Sequence, residues 1–135
     1  MFRTSLPLRF AHCDPAGIAY YPRYFELCDA AIEDCTAAVL GISRREIHVD
    51  RGLGLPTVTL TADFAIPSRL GDMLDFTVTV ARVGRSSVDL NVNIDCAGER
   101  RFSVRFTQVL TDLSEVTSRP WPPELHERLI KEKSA

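Results

Sequence analysis

The chain has 135 residues, 45% of them hydrophobic and 25% charged, with a net charge of −2. This is the length of one domain with room for a sizeable core and the composition of an ordinary globular protein. The near-neutral balance offers no basic face for nucleic acid, and no apolar run approaches the roughly 20 residues that span a membrane. The N-terminus lacks a signal-peptide apolar segment, so one cytoplasmic domain over residues 1–135 is expected, with no nucleic-acid or membrane partner.

In chain order, Phe2, Thr4, Leu6, Leu8 and Phe10 alternate with more polar neighbours and predict a first strand, at an edge or bulged because of Pro7. Asp14-Pro15-Ala16-Gly17 then has the residue types of a β-turn: Asp first, Pro second, Gly fourth. Pro22 suits the first turn of a helix, where its missing N–H costs nothing. Phe25, Cys28, Ala31, Ile32, Cys35, Ala38 and Val39 recur at helical spacing, and Gly41 is the predicted stop. Arg23, Glu26, Asp29, Glu33 and Asp34 form the opposite, charged face. The inward stripe is of small residues, so this helix can approach a sheet closely.

Residues 42–55 read as irregular, punctuated by Gly52 and Gly54. The period then changes to two. Val58, Leu60, Ala62, Phe64 and Ile66 share one face, and Pro67 closes that strand. Phe76, Val78 and Val80 repeat the pattern, as do Val88, Leu90, Val92 and Ile94, and then Phe102, Val104 and Phe106. Clean alternation predicts antiparallel strands covered on one face, joined by hairpins at 83–86 and 96–99. The other face carries Thr, Asp and Asn, which suits solvent or a subunit interface. Trp121 sits among prolines before a short amphipathic helix around Leu125, Leu129 and Ile130. One long helix and about five antiparallel strands give an α+β domain with the helix packed on one face of the sheet.

Cys28 and Cys35 are seven residues apart, about 10 Å along a helix at roughly 1.5 Å per residue, which is too far for a disulfide. They read as small core residues, and Cys13 and Cys96 are isolated. His12, His48 and His126 show no ligand spacing with these thiols, so no metal site is expected.

The chemistry concentrates at residues 12–29. Asp14 opens a tight turn before a helix whose first amides have no intrahelical partner. A carboxylate beside such amides can act as nucleophile or general base while the dipoles hold a developing oxyanion. The turn alone is equally the signature of an Asp hydrogen-bonded to its own backbone. The string HCDPAGIAYYPRYF, followed by Glu26-Leu27-Cys28-Asp29-Ala30-Ala31, resembles the 4-hydroxybenzoyl-CoA thioesterase family of hotdog-fold acyl-CoA hydrolases, most densely over residues 8–31.

The resemblance implies a hotdog fold, a long central helix packed on a five-stranded antiparallel sheet. It also implies hydrolysis of an aromatic (benzoyl-type) or short-chain acyl-CoA to free acid and CoA. The family's catalytic Asp falls on Asp14, and its carbonyl-polarising amide falls on the backbone N–H of Tyr21. Asp29 matches an acidic position of the family's helix, with a solvated surface residue as the plainer alternative. His12 stands where the best-known member has an acidic residue. On an alternating strand it would share a side with Asp14 and approach the acyl group, or it is a histidine hydrogen-bonded at a strand end. Gly17 completes the turn as a substrate-binding candidate. Arg85, Ser86 and Ser87, in the turn Arg82-Val83-Gly84-Arg85-Ser86-Ser87, are candidates for the coenzyme A phosphates, which attract guanidinium groups and exposed amides.

Another branch of hotdog thioesterases uses a helix carboxylate, for which Glu26 and Glu33 are available, but the Asp-Pro-Ala-Gly turn argues against it. No His lies between Pro22 and Gly41, where the fold's dehydratases carry one. The resemblance implies a homo-oligomer, a dimer at least and a homotetramer by analogy. It implies no cofactor, coenzyme A being part of the substrate. An acyl-carrier-protein thioesterase and a non-catalytic acyl-CoA-binding hotdog module are the competing readings; an intact Asp14 counts against the second.

Overall fold

A computed structural model describes residues 1–134. Strand β1 (Phe2–Pro7) leads through a 3₁₀ turn (Phe10–His12) and the Asp14 turn to helix α1 (Tyr21–Leu40). A π-helical turn (Glu46–Asp50) and the two-residue strand β2 (Leu53–Gly54) follow, then β3 (Thr57–Phe64), β4 (Met73–Val83), β5 (Ser87–Cys96) and β6 (Glu99–Val109). The chain ends with the short strands β7 (Thr111–Asp112) and β8 (Thr117–Ser118) and helix α2 (Pro123–Ser134). The main sheet is antiparallel in the order β1-β4-β5-β6-β3, and β2-β7-β8 form a small second sheet that the residue pattern did not announce. No helix among the described residues is long and apolar enough to cross a membrane.

The alternation has its expected consequence. Phe76, Val78 and Val80 on β4, Val88, Leu90, Val92 and Ile94 on β5, and Phe102, Val104 and Phe106 on β6 are all buried, while their alternate neighbours are mostly half-exposed or exposed. The β5–β6 hairpin turns on Ala97 and Gly98, both at positive φ (49° and 79°), the two-residue turn whose twist matches the strands. Helix α1 has Pro22 in its first turn and Gly41 as its left-handed cap at φ 73°. Its buried stripe is Tyr24, Leu27, Cys28, Ala31, Ile32, Cys35, Thr36 and Leu40. Phe25 is only half-buried and Ala38 is exposed, so the helix is rolled slightly from the face that the spacing predicted. The reason is Tyr24, whose ring stacks on Phe102 at 4.7 Å while its hydroxyl donates to the buried Ser68 Oγ at 2.9 Å. A polar-tipped aromatic can be buried when its tip finds a partner, which periodicity does not reveal. Burial holds the Cys28 thiol up at about 12 and that of Cys35 at about 11, as expected of core thiols.

Two expectations are corrected. The first strand ends at Pro7, not Phe10. Beyond it, Leu8 exchanges backbone hydrogen bonds with the 71–72 segment (Leu8 N–H to Asp72 O, 2.8 Å; Gly71 N–H to Leu8 O, 2.9 Å), and the chain coils into the 3₁₀ turn. The apolar face of β3 is also not buried within this chain: Val58, Leu60, Phe64 and Ile66 are 43–60% exposed. β3 is the outer strand beside β6, and the start of α1 covers its inward face only in part, at Phe64.

Residues 65–72, between β3 and β4, tie the Asp14 turn to the sheet. Leu70 N–H donates to Gly17 O and Ala19 N–H to Ser68 O, each at 2.9 Å. Asp72 Oδ2 accepts from Arg69 N–H (2.8 Å) and from Arg101 Nη1 (2.7 Å), and Arg101 Nη1 also reaches Pro67 O (3.2 Å). Arg101 Nε lies 3.0 Å from Glu99 Oε1, a charge contact without hydrogen-bond geometry. The Arg69 amide first, and then Arg101, hold the Asp72 carboxyl below the usual carboxylate range.

Two measurements check this framework. Tyr24→Phe strands the buried Ser68 hydroxyl and is expected to cost about 1–2 kcal/mol in urea unfolding. A carboxyl with a lowered folded-state pKa contributes fully above its unfolded value, about 3.9, and loses that contribution as pH falls through the folded value. Asp72→Asn is therefore expected to cost about 1–2 kcal/mol at pH 7, and the gap from wild type to narrow at pH 3.

Candidate active site

The turn forms as its residue types require. Gly17 N–H donates to Asp14 O at 2.9 Å, and Gly17 takes φ 76°, a conformation that L side chains adopt at a cost. Asp14 N–H donates to Ile18 O at 2.9 Å. The side chain serves the turn through one oxygen only: Oδ1 accepts from Ala16 N–H (2.8 Å) and more distantly from Ile18 N–H (3.4 Å). Oδ2 has no hydrogen-bond partner among the described residues. The turn-forming role and an unpartnered oxygen thus coexist on one half-buried carboxylate.

Helix α1 opens at Tyr21, seven residues after Asp14, and the turn is folded against its start: Tyr20 N–H donates to His12 O at 2.9 Å. Pro22 has no N–H to offer, and Arg23 N–H bends back to Tyr20 O at 2.9 Å. The Tyr21 amide at the first helical position finds no acceptor among the described residues. Of the first three helical positions it is the open donor, on the positive end of a 20-residue helix.

Beside this start lies a cavity of about 180 Å³ lined by Ile18, Ala19, Tyr21, Tyr24, Phe64, Ala65, Ile66, Pro67 and Arg101. Its lining is largely apolar and aromatic. Tyr21 stands edge-on to Phe64 at 6.1 Å, and Tyr24 and Phe64 both pack on Phe102. Asp14 does not line this cavity; it borders a separate hollow with Phe10, Cys13, Pro15 and Gly17 and is joined to the wall residue Ile18 through the Ile18 N–H. Phe64 and Ile66 are lining residues that the sequence does not single out as site residues. Alternation marked Phe64 and Ile66 only as core, and nothing local tells a core face from a cavity wall.

The other candidates lie as follows. His12 sits in the 3₁₀ turn and not on an alternating strand, so the same-side argument with Asp14 does not apply. Its Nδ1 accepts from Arg9 N–H at 3.0 Å, closing that turn. Asp29 is exposed on α1, and its carboxylate makes no hydrogen bond or ion pair among the described residues. Arg85, Ser86 and Ser87 form the β4–β5 turn at the far end of the sheet. β4 runs 11 residues from the end beside the Asp14 turn to this one, roughly 35 Å at about 3.4 Å per residue. One chain therefore does not bring the basic turn to Asp14.

Comparison with known proteins adds the family. The chain is 35% identical over 79 residues to the 1,4-dihydroxy-2-naphthoyl-CoA hydrolase of Synechococcus elongatus, a match covering 58% of this chain and 57% of that protein. It is 31% identical over 81 residues to the 4-hydroxybenzoyl-CoA thioesterase of Pseudomonas sp. strain CBS-3, covering 59% of this chain and 57% of that one. The chain thus spans somewhat over half the length of these curated relatives. In fold it is similar to a thioesterase-superfamily structure from Jannaschia sp. CCS1, with a TM-score of 0.90 at 25% identity, over 99% of this chain and 94% of that one. The family model described as the thioesterase-like superfamily matches residues 8–129, and the chain belongs to that superfamily.

Proposed function

We propose that this protein hydrolyses an acyl-CoA thioester to free acid and CoA, with an aromatic acyl group as the preferred cargo. The reading rests on one observation: a carboxylate with one oxygen tied into its turn and the other free, placed at the start of a helix whose Tyr21 N–H has no partner. The thioester carbonyl accepts a hydrogen bond from that amide, and the helix dipole stabilises the oxyanion that forms there. Asp14 Oδ2 either attacks the carbonyl carbon, expelling the CoA thiolate and leaving a mixed anhydride for water to open, or takes a proton from an attacking water. The aromatic lining of the adjoining cavity suits a planar ring, and the two relatives named above carry hydroxylated aromatic acyl groups in their names.

The reading includes a second copy of the chain. β3 offers an open edge with Val58, Leu60 and Phe64 exposed, and among the described residues it pairs only with β6. The opposite edge, β1, is guarded by Pro7 and presents Arg3 and Ser5. An uncovered apolar edge is the kind that a second strand occupies. Joining β3 to β3 across a twofold axis continues the antiparallel sheet and exchanges its ends. The partner's basic turn then falls at the end that holds Asp14, about three strand spacings from β3, or roughly 15 Å. An extended pantetheine arm suits that span.

Asp14→Asn is expected to lose at least about a hundredfold in thiol release from benzoyl-, hydroxybenzoyl- and short-chain acyl-CoAs. Equal activity of wild type and variant would reduce Asp14 to a turn residue, and an inert wild type would move the assignment to a binding module. Leu60→Lys is expected to shift sedimentation toward the monomer and to abolish turnover. Mixing Asp14→Asn with Arg85→Ala subunits is expected to restore activity at low substrate, because one site of each mixed dimer would hold both native groups.

A further inference from the structure

The proline-flanked Trp121 has no part in the chemistry above, yet it is buried at the margin of the core and hydrogen-bonded to the basic turn. Its backbone N–H donates to Arg85 O at 2.9 Å, and its indole Nε1–H donates to Ser87 O at 3.0 Å. Leu110 N–H takes Ser86 O at 2.7 Å, and Gly84 N–H also reaches Ser87 O at 2.9 Å. Three successive carbonyls, 85 to 87, are therefore drawn into the protein by donors from the chain's last third and from the turn itself. The turn is tight: a Cβ on Gly84 would lie 2.3 Å from Ser87 Oγ. A peptide plane whose carbonyl is held inward turns the N–H of the next residue the other way; the inward Arg85 carbonyl thus turns out the amide of Ser86, which finds no acceptor among the described residues. The guanidinium groups of Arg82 and Arg85 are exposed and make no ion pair within 4.0 Å among the described residues. An outward amide beside free guanidinium groups is the chemistry of a phosphate seat.

We infer that Trp121 is the positioning residue of this seat, holding the 85–87 turn in the conformation that receives the phosphates of the coenzyme A nucleotide. The inference rests on the reading of that turn as the nucleotide site. It gives Trp121 a specific signature: the residue matters for a thioester carrying the nucleotide and not for one ending at pantetheine. The single tryptophan of the chain makes the test clean.

The experiment is calorimetric binding of CoA, and separately of pantetheine, to wild type, Trp121→Phe and Arg85→Ala. A fourth protein carries benzothienylalanine in place of the tryptophan, which keeps the bicyclic ring and puts sulfur where the N–H donor was. Loss of one such donor is expected to weaken CoA about fivefold to tenfold, with pantetheine affinity and the kcat on acyl-pantetheine unchanged. Should Arg85→Ala weaken CoA while both tryptophan replacements bind it like wild type, the assignment of Trp121 is wrong. An equal loss of CoA and pantetheine would also overturn it, reducing Trp121 to a packing residue. If Arg85→Ala leaves CoA affinity intact, the turn is not the seat and the inference falls with that reading. The role of Asp14 is judged separately, because product binding needs no turnover.

Discussion

Tyr24 joins three parts of the molecule that would otherwise be independent. Its ring lies flat on Phe102 of the sheet, and its hydroxyl is bonded to Ser68 in the segment that carries the Asp14 turn. Its backbone belongs to the first turns of α1. A stacked aromatic pair adds about 0.5–1.5 kcal/mol beyond burial, and a buried hydroxyl without a partner costs about as much or more. The helix can therefore neither roll nor slide without losing one of the two contacts. Because the helix start is fixed, the open Tyr21 amide points to a fixed place, and Ala19 and Gly17 are laced to the same 65–72 segment. The Arg101–Asp72 pair then fastens that segment to β6.

The Asp14 carboxylate shows how a structural role and the chemical role proposed for it fit on one side chain. A turn Asp is satisfied by its own backbone through a single oxygen, which leaves the second oxygen with its full accepting capacity. The turn thereby orients the group while leaving that second oxygen unpartnered. Pro22 does related work at the helix start. By withholding its own N–H and fixing φ, it leaves Tyr21 as the open donor without a neighbouring amide to compete for the same acceptor.

The sheet places its two chemically suggestive ends far apart, and the open β3 edge is the natural complement of that separation. An antiparallel sheet continued through a twofold axis exchanges its ends. In the proposed dimer, the feature that would make a lone chain prone to aggregation is also the one that brings a basic turn to a carboxylate. Under that proposal the exposure of Leu60 and Phe64 and the distance of Arg85 from Asp14 are two aspects of one arrangement.

The sequence by itself determined what depends on near neighbours. Period-two alternation marked β4 to β6 and their buried faces, Pro22 and Gly41 bounded the helix, and the Asp-Pro-Ala-Gly types specified the turn, because propensity and turn chemistry act over a few residues. The dense string over residues 8–31 carried the family. What only the tertiary structure decided depends on residues distant in the chain. The pairing of Tyr24 with Ser68, 44 residues on, rolled the helix stripe. Bonds from Leu8 to the 71–72 segment ended β1 early and left His12 in a coiled turn. Edge position exposed the apolar face of β3, since alternation tells which residues share a side but not whether anything covers it. Hydrogen bonds from Trp121 to Arg85 and Ser87 join positions whose proximity no local pattern encodes.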